Sequence, residues 1–311
     1  MSDPQPPIVE LERLTRRFGA LVAVDALTLA VGRGELFGLV GPDGAGKTTT
    51  LRMLAGVLKA SDGDARLEGV SVVRDPERVK HSIAYMSQRF GLYTDLTVAE
   101  NLEFYADLYR VPRAHRPARL ERLYHFSALG PFQSRLAGQL SGGMKQKLAL
   151  SCCLVHEPTI LLLDEPTFGV DPISRRDLWL IVHEMVAHGT TVVVSTSYLD
   201  EAERFDRLVM LHRGRQLAID TAEAMQRGLP YAMIALPVDR VREAHAAAAR
   251  VPGVHRAAVF GEHLHLSVDD PAADGARVVG ALRAAGFEVG EVRRIVPTLE
   301  DVFIERIAEA G

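Results

Sequence analysis

Residues 41–48 read GPDGAGKT and match the pattern G-x-x-x-x-G-K-[ST]. An apolar run, ELFGLV at 35–40, precedes them and reads as a buried strand. A helix is expected from Lys47 to about Leu58. In that setting the glycines allow backbone N–H groups to wrap phosphate oxygens, and the helix N-terminus adds partial positive charge. Gly41, Pro42, Asp43, Gly44, Ala45 and Gly46 would form the wrap, with Thr49 continuing it into the helix. Lys47 would reach the β- and γ-phosphates and Thr48 would hold Mg²⁺. A second stretch, ILLLDE at 160–165, ends an apolar strand in two carboxylates. Asp164 is placed to bind Mg²⁺ through water, and Glu165 could polarise an attacking water as general base.

These groups need a scaffold. Strand-like and helix-like segments alternate from Ile8 to about Met225, the pattern of a mostly parallel sheet with helices. Residues 91–145 differ and read as an inserted helical region, opened by a capping box of Thr97 and Glu100. TVVVSTSYLDEAE at 191–203 gives a buried strand, four hydroxyl-bearing residues, and the expected start of a helix at 200–203. Hydroxyls just past the end of a strand in such a sheet lie where working groups sit.

A boundary is expected near Gly228, dividing a domain at 1–228 from one at 229–311. The second part reads βαββαβ, with a helix at 239–250, two strands around Gly261, a helix at 271–285 and a strand at 287–295. That order suggests a small α+β, ferredoxin-like unit. PTLEDVFIERIAEA then forms a terminal helix capped by Thr298, with Asp301 three residues on.

The stretch LSGGMKQ at 140–146 lies between the two phosphate-site motifs, and there the chain resembles the ATP-binding-cassette (ABC) family, whose signature is L-S-G-G-x-[x]-Q. A Ser cap and two glycines expose N–H groups at a helix start. The resemblance implies that Ser141, Gly142 and Gly143 contact the γ-phosphate bound by the opposite subunit. It implies that Phe18 stacks on adenine and that Asp171 sits at the dimer contact. Gln88, in YMSQRFGLY, would be a Mg²⁺ ligand and would report the γ-phosphate to the helical region. The implied fold is α/β: a P-loop ABC nucleotide-binding domain with an inserted helical subdomain, followed by the ferredoxin-like unit. Where the family carries a switch histidine after S-T, this sequence has Ser197. A serine is shorter and carries no positive charge, so slow hydrolysis is expected. Asp43 with Ser197 resembles the N-terminal cassette of tandem-cassette exporter ATPases, and PTLEDVFIERI resembles the tail of daunorubicin-resistance-type ATPases.

The implied function is the ATPase subunit of a bacterial exporter, using ATP and Mg²⁺, pairing with a second cassette and driving a separate membrane permease. Two alternatives remain: a regulatory subunit with a weak site, and a non-transport ABC protein. A P-loop kinase would not explain LSGGMKQ. A net charge of −4 gives no sign of a nucleic-acid partner. No apolar run approaches the ~20 residues of a spanning helix, and the polar, proline-rich start has no signal-peptide core. A peripheral position on the cytoplasmic face of the inner membrane is therefore expected. Cys152 and Cys153 are neighbours that cannot staple a fold, which suits a reducing compartment.

Overall fold

The computed structural model describes residues 6–89 and 91–310. Residues 1–5, in the proline-rich start, and Phe90, beside Gln88, lie outside the described residues. The chain divides into two compact units, Met1–Ile219 and Asp220–Gly311.

The first unit begins with two long strands, β1 (Val9–Phe18) and β2 (Leu21–Val31), joined by a tight turn. With β4 (Asp62–Leu67) and β5 (Val70–Ser71) they form an antiparallel sheet of order β2-β1-β4-β5. The second sheet holds β3 (Leu36–Val40), β6 (Ile83–Met86), β7 (Ile160–Asp164), β8 (Thr191–Thr196), β9 (Arg207–His212) and β10 (Arg215–Asp220). Its order is β10-β9-β3-β8-β7-β6, and the five strands from β9 to β6 run parallel. Every residue of β3, β7 and β8 is buried. Strands covered on both faces read as mainly apolar runs, and here the polar residues, Asp164, Thr191, Ser195 and Thr196, fall at the strand ends.

Register matters here. Val40 pairs with Thr196 and Asp164 with Ser195, so β3, β7 and β8 end together at one edge of the sheet. Helix α1 (Lys47–Leu54) leaves that edge after the glycine turn, and ends earlier than expected in a turn at Ala55 and Gly56. A short helix α2 (Pro76–Val79) precedes β6.

The inserted region carries α3 (Val98–Leu108), α4 (Arg116–Ser127) and α5 (Gly142–Leu154). The capping box of Thr97 and Glu100 opens α3 with both reciprocal hydrogen bonds. Residues 91–97, expected within the helical region, form a loop instead. Helix α6 (Pro172–Ala187) follows β7 and starts on Asp171. The helix expected at 200–203 is a single 3₁₀ turn, Ala202–Arg204. Its Glu201 carboxylate is already taken by Thr196 Oγ1 (2.7 Å) and Trp179 Nε1 (3.1 Å), and β9 begins at Arg207. No room is left for a second turn.

The second unit starts earlier than Gly228. Helix α7 (Ala222–Arg227), capped by Thr221, buries Met225 and packs on the terminal helix α10 (Leu299–Ala310). It therefore belongs to the C-terminal unit. The rest comprises β11 (Ala232–Pro237), α8 (Val241–Ala248), β12 (Val254–Phe260), β13 (His263–Val268), α9 (Pro271–Ala284) and β14 (Arg293–Ile295). The strand order β12-β13-β11-β14, antiparallel throughout, is the ferredoxin-like one. The strand expected at 287–295 shrinks to three residues. Pro237 on β11 has no N–H to continue that ladder, and only one isolated bridge, Val238 to Val289, lies beyond it. Ile234, Leu236, Leu264, Leu266, Val278 and Leu282 build this unit's own core. Helix α10 is tied to the sheet through polar groups. His265 Nδ1 lies 3.0 Å from Asp301, Ser267 donates to Glu305 at 2.5 Å, and Arg256 reaches Glu305 at 3.1 Å.

Candidate functional site

A cleft of about 520 Å³ opens at the sheet edge where β3 and β7 end. Residues Asp43, Gly44, Ala45, Gly46, Lys47, Thr48 and Thr49 line it, together with Phe18, Gln88, Glu165, Arg213 and the apolar residues at 21–23. Gly46 has φ +104°, and a Cβ there would lie 2.5 Å from the Ala23 carbonyl oxygen. Only glycine permits both the turn and that close approach.

Lys47 is almost wholly buried, and its Nζ donates to the carbonyls of Gly41 (2.6 Å) and Pro42 (3.1 Å). The same Nζ lies 3.1 Å from Glu165 Oε1. A buried ammonium demands such partners. Glu165 follows β7 with φ +49°, a left-handed conformation that costs a non-glycine residue about 1–3 kcal/mol. Its N–H is held by Ser195, through both the carbonyl (3.2 Å) and Oγ (3.0 Å).

Asp164 is buried behind Glu165 among three hydroxyls. Thr48 Oγ1 donates to Oδ1 at 2.9 Å, Ser195 Oγ to Oδ1 at 2.8 Å, and Tyr85 OH to Oδ2 at 3.3 Å. Burial and the nearby Asp164 charge push the Tyr85 hydroxyl up to about 12, so it stays a donor at neutral pH. Neither Ser195 nor Tyr85 belongs to a sequence motif that marks it as a partner of Asp164. Ser195 lies in the hydroxyl-rich stretch, but only the pairing of β8 with β7 shows that it, rather than Ser197, meets Asp164. Tyr85 sits on β6, and nothing local in the sequence places β6 beside β7. Arg213, which lines the cleft from the turn after β9, belongs to no motif in the sequence.

Phe18 ends β1 and is 45% exposed, with its ring covered by Arg16 at 4.5 Å. It is a cleft residue and not a core one. Ser197 follows β8, half-buried and outside the residues that line the cleft. Its neighbours are fixed by other bonds: Tyr198 N–H donates to Thr196 Oγ1 at 3.0 Å, and Arg175 covers the Tyr198 ring at 4.6 Å.

Ser141, Gly142, Gly143 and Asp171 form a second group, also away from the cleft lining. Ser141 caps α5 by accepting from Met144 N–H at 3.3 Å. Asp171 caps α6 by accepting from Ser174 N–H (2.9 Å) and Ile173 N–H (3.1 Å), bonds that hold its carboxyl below the usual range. A Cβ on Gly143 would fall 2.2 Å from Ser174 Oγ. The two helix starts are thus pressed together, with Gly142 on the open side.

A family model described as ABC transporter matches residues 24–168, and one described as ATP-binding protein DrrA1-3-like, C-terminal domain, matches 235–307. The probable multidrug ABC transporter ATP-binding protein YbhF of Escherichia coli (strain K12) is 42% identical over 310 residues, 98% of this chain and 53% of that protein. The chain belongs to the ABC transporter ATP-binding proteins. It spans about half the length of YbhF. The daunorubicin resistance ATP-binding protein DrrA3 of Streptomyces coeruleorubidus is 34% identical over 299 residues, 95% of this chain and 94% of its own. Among solved structures, an ATP-binding subunit of an ABC transporter superposes with TM-score 0.65 at 32% identity, covering 71% of this chain and 92% of that one. A dimeric post-hydrolysis cassette, MJ0796 bound to ADP and Pi, gives TM-score 0.62 at 26% identity, covering 68% and 98%. Cassette architecture and a DrrA-like C-terminal unit are therefore joined in this chain.

Proposed function

We propose that this chain is the ATP-hydrolysing subunit of an exporter, working as a cassette dimer on a separate membrane permease. The observation that carries the reading is the cleft itself. A buried Lys47 touches Glu165, and Thr48 touches Asp164, at the N-terminus of α1. The backbone around Gly44 and Gly46 presents N–H groups to phosphates, and Lys47 holds their terminal charge. Phe18 offers a half-exposed ring for the base. Glu165 takes a proton from the attacking water once Lys47 has turned to phosphate.

The donor set suits Mg²⁺. Asp164 is a buried carboxylate with no cationic side chain among its hydrogen-bond partners, and it already touches the Thr48 hydroxyl. A hard divalent ion prefers such oxygens. Thr48, Asp164 and Gln88 would hold it, and the ion would neutralise charge on the phosphates. In a closed dimer, Ser141, Gly142, Gly143 and Asp171 would face the nucleotide of the second cassette. Among the described residues no helix is long and apolar enough to cross a membrane, so a permease on another chain would supply the spans. Names such as multidrug transporter and daunorubicin resistance support export as the direction.

Ser197 supports a second reading, in which the chain binds ATP but its own site turns over slowly. The two readings share one first test. Isothermal titration of Mg²⁺-ATP should show tight binding to the wild type and at least about a tenfold loss in Lys47→Ala, the scale of one charge-assisted contact. Equal affinity in the two proteins would refute the cleft assignment.

A further inference from the structure

Asn101 lies on α3, is wholly buried, and uses its whole side-chain amide on one loop. Its Oδ1 accepts from Tyr93 N–H at 3.0 Å. Its Nδ2 donates toward the carbonyls of Tyr93 (3.0 Å), Thr97 (2.9 Å) and Leu96 (3.3 Å). One helical turn on, Tyr105 OH donates to the Gly91 carbonyl at 2.8 Å. Loop 91–97 is therefore fixed to one face of α3. That loop starts three residues after Gln88, which lines the cleft.

The same loop is bonded on its other side to the segment leading into the signature. Ala137 N–H donates to the Leu96 carbonyl at 2.8 Å, and Gly138 N–H to the Thr94 carbonyl at 2.9 Å. Gly138 is pressed so close that a Cβ there would lie 3.1 Å from Thr94 O. Leu96 O thus receives both Asn101 and Ala137. Three residues beyond Gly138 comes Ser141, the cap of α5.

We propose that Asn101 is a positioning residue: it fixes loop 91–97 so that the cleft at Gln88 and the signature loop at 140–143 keep one spatial relation. Asn suits the task because its amide both accepts and donates like a peptide group. It pairs with Tyr93 as a neighbouring strand would. The segment it holds has no regular structure, so without Asn101 the backbone groups of Tyr93, Leu96 and Thr97 lose a partner. The link between ATP in the cleft and the signature loop rests on the function proposed above, whereas the clamp itself does not.

Hydrogen exchange with mass spectrometry on the full chain tests both parts. Without nucleotide, Asn101→Ala should speed exchange at 133–140 as well as at 91–98, by about tenfold or more, since local opening becomes easier. Asn101→Leu, which keeps the number and branching of side-chain heavy atoms, leaves no cavity and removes every polar contact, should do the same and guards against a cavity effect. With Mg²⁺-ATP, the wild type should change its exchange at 133–140. The variants should lose that change while calorimetric ATP affinity stays within about twofold, and kcat should fall with KM little altered. Unchanged protection of 133–140 in both variants would overturn the clamp. An intact ATP response in the variants, or none in a wild type that binds ATP, would overturn the coupling. A wild type that binds no ATP would instead sink the function proposed for the cleft, and the coupling with it, leaving the clamp to be judged on the nucleotide-free data. Should either variant fail to fold, as judged by circular dichroism, the other carries the test; failure of both to fold would make Asn101 a stability residue and overturn the positioning role.

Discussion

Lys47 and Glu165 touch at 3.1 Å, so the cation proposed to hold phosphate and the carboxylate proposed to activate water begin as partners. Changing Glu165→Gln removes the base and weakens that pairing at once. Turnover should fall by about 10²–10⁴, the range of general-base catalysis, while ATP affinity holds or rises. Steady-state hydrolysis and calorimetry check it, and a turnover equal to wild type would take Glu165 out of the mechanism. Ser197 makes the opposite prediction. Ser197→His should raise kcat by at least about tenfold with ATP affinity little changed, because the contact is made mainly in the transition state. The gain should vanish in a Glu165→Gln background, where there is no base for the same water. If kcat stays flat or drops in Ser197→His alone, the serine is not a weakened switch. Tyr198, held by Arg175 and Thr196, keeps the backbone there in place for either side chain.

At the scale of elements, α5 and α6 meet where Gly143 faces Ser174. Gly143 therefore has a packing reason to be glycine, beside any contact with phosphate. Gly143→Ala should destabilise the chain by about 1–3 kcal/mol through overpacking. Ser174→Gly in the same chain should recover much of that loss, since it removes both atoms that the new Cβ would strike. Thermal melts of the single and double variants decide it. Full stability of Gly143→Ala alone would mean the helices part easily. The inserted region shows a related mix of local and distant causes. Thr97 and Glu100 cap α3 from within four residues, whereas Asn101 fixes a loop that is itself bonded to residues some forty positions on.

At the scale of the molecule, the two units carry different acid-sensitive groups. In the first, His156 stacks on Tyr109 at 3.9 Å, and its Nε2 lies 3.2 Å from the Ile83 carbonyl. Its Nδ1 is buried without a hydrogen-bond partner. Burial lowers its pKa from 6.5. Below pH 6.5 the unfolded chain then binds a proton that the folded chain does not, so this unit loses stability as pH falls from there towards the folded value. In the second unit, burial alone would raise the Asp301 pKa. His265 and the N–H and hydroxyl of Thr298 outweigh burial and lower it from 3.8. Its contribution is full above 3.8 and is lost as pH falls through the folded value. Scanning calorimetry from pH 7 to 3 should show the cassette unit weakening first, and His156→Gln should reduce the pH slope that sets in below 6.5. A slope unchanged in that variant would place the acid sensitivity elsewhere.

The sequence by itself determined the pieces whose causes are local. GPDGAGKT, ILLLDE and LSGGMKQ each carry their chemistry within eight residues, and the strand Ile160–Asp164 is apolar up to its last residue because both faces are covered. The cap at Thr97 and the βαββαβ order were legible for the same reason. Other features depend on neighbours that no local pattern names. Ser195 meets Asp164 because β8 lies beside β7 in parallel register, and Tyr85 joins them because β6 lies on the other side. The helix expected at 200–203 collapsed to one turn once Glu201 was drawn in by Thr196 and Trp179. The domain division moved to Ile219 because α7 packs on a helix some seventy residues later. Periodicity reports which face of a segment is buried. It does not report what that face is buried against, and in this chain strand order and helix contacts decide that.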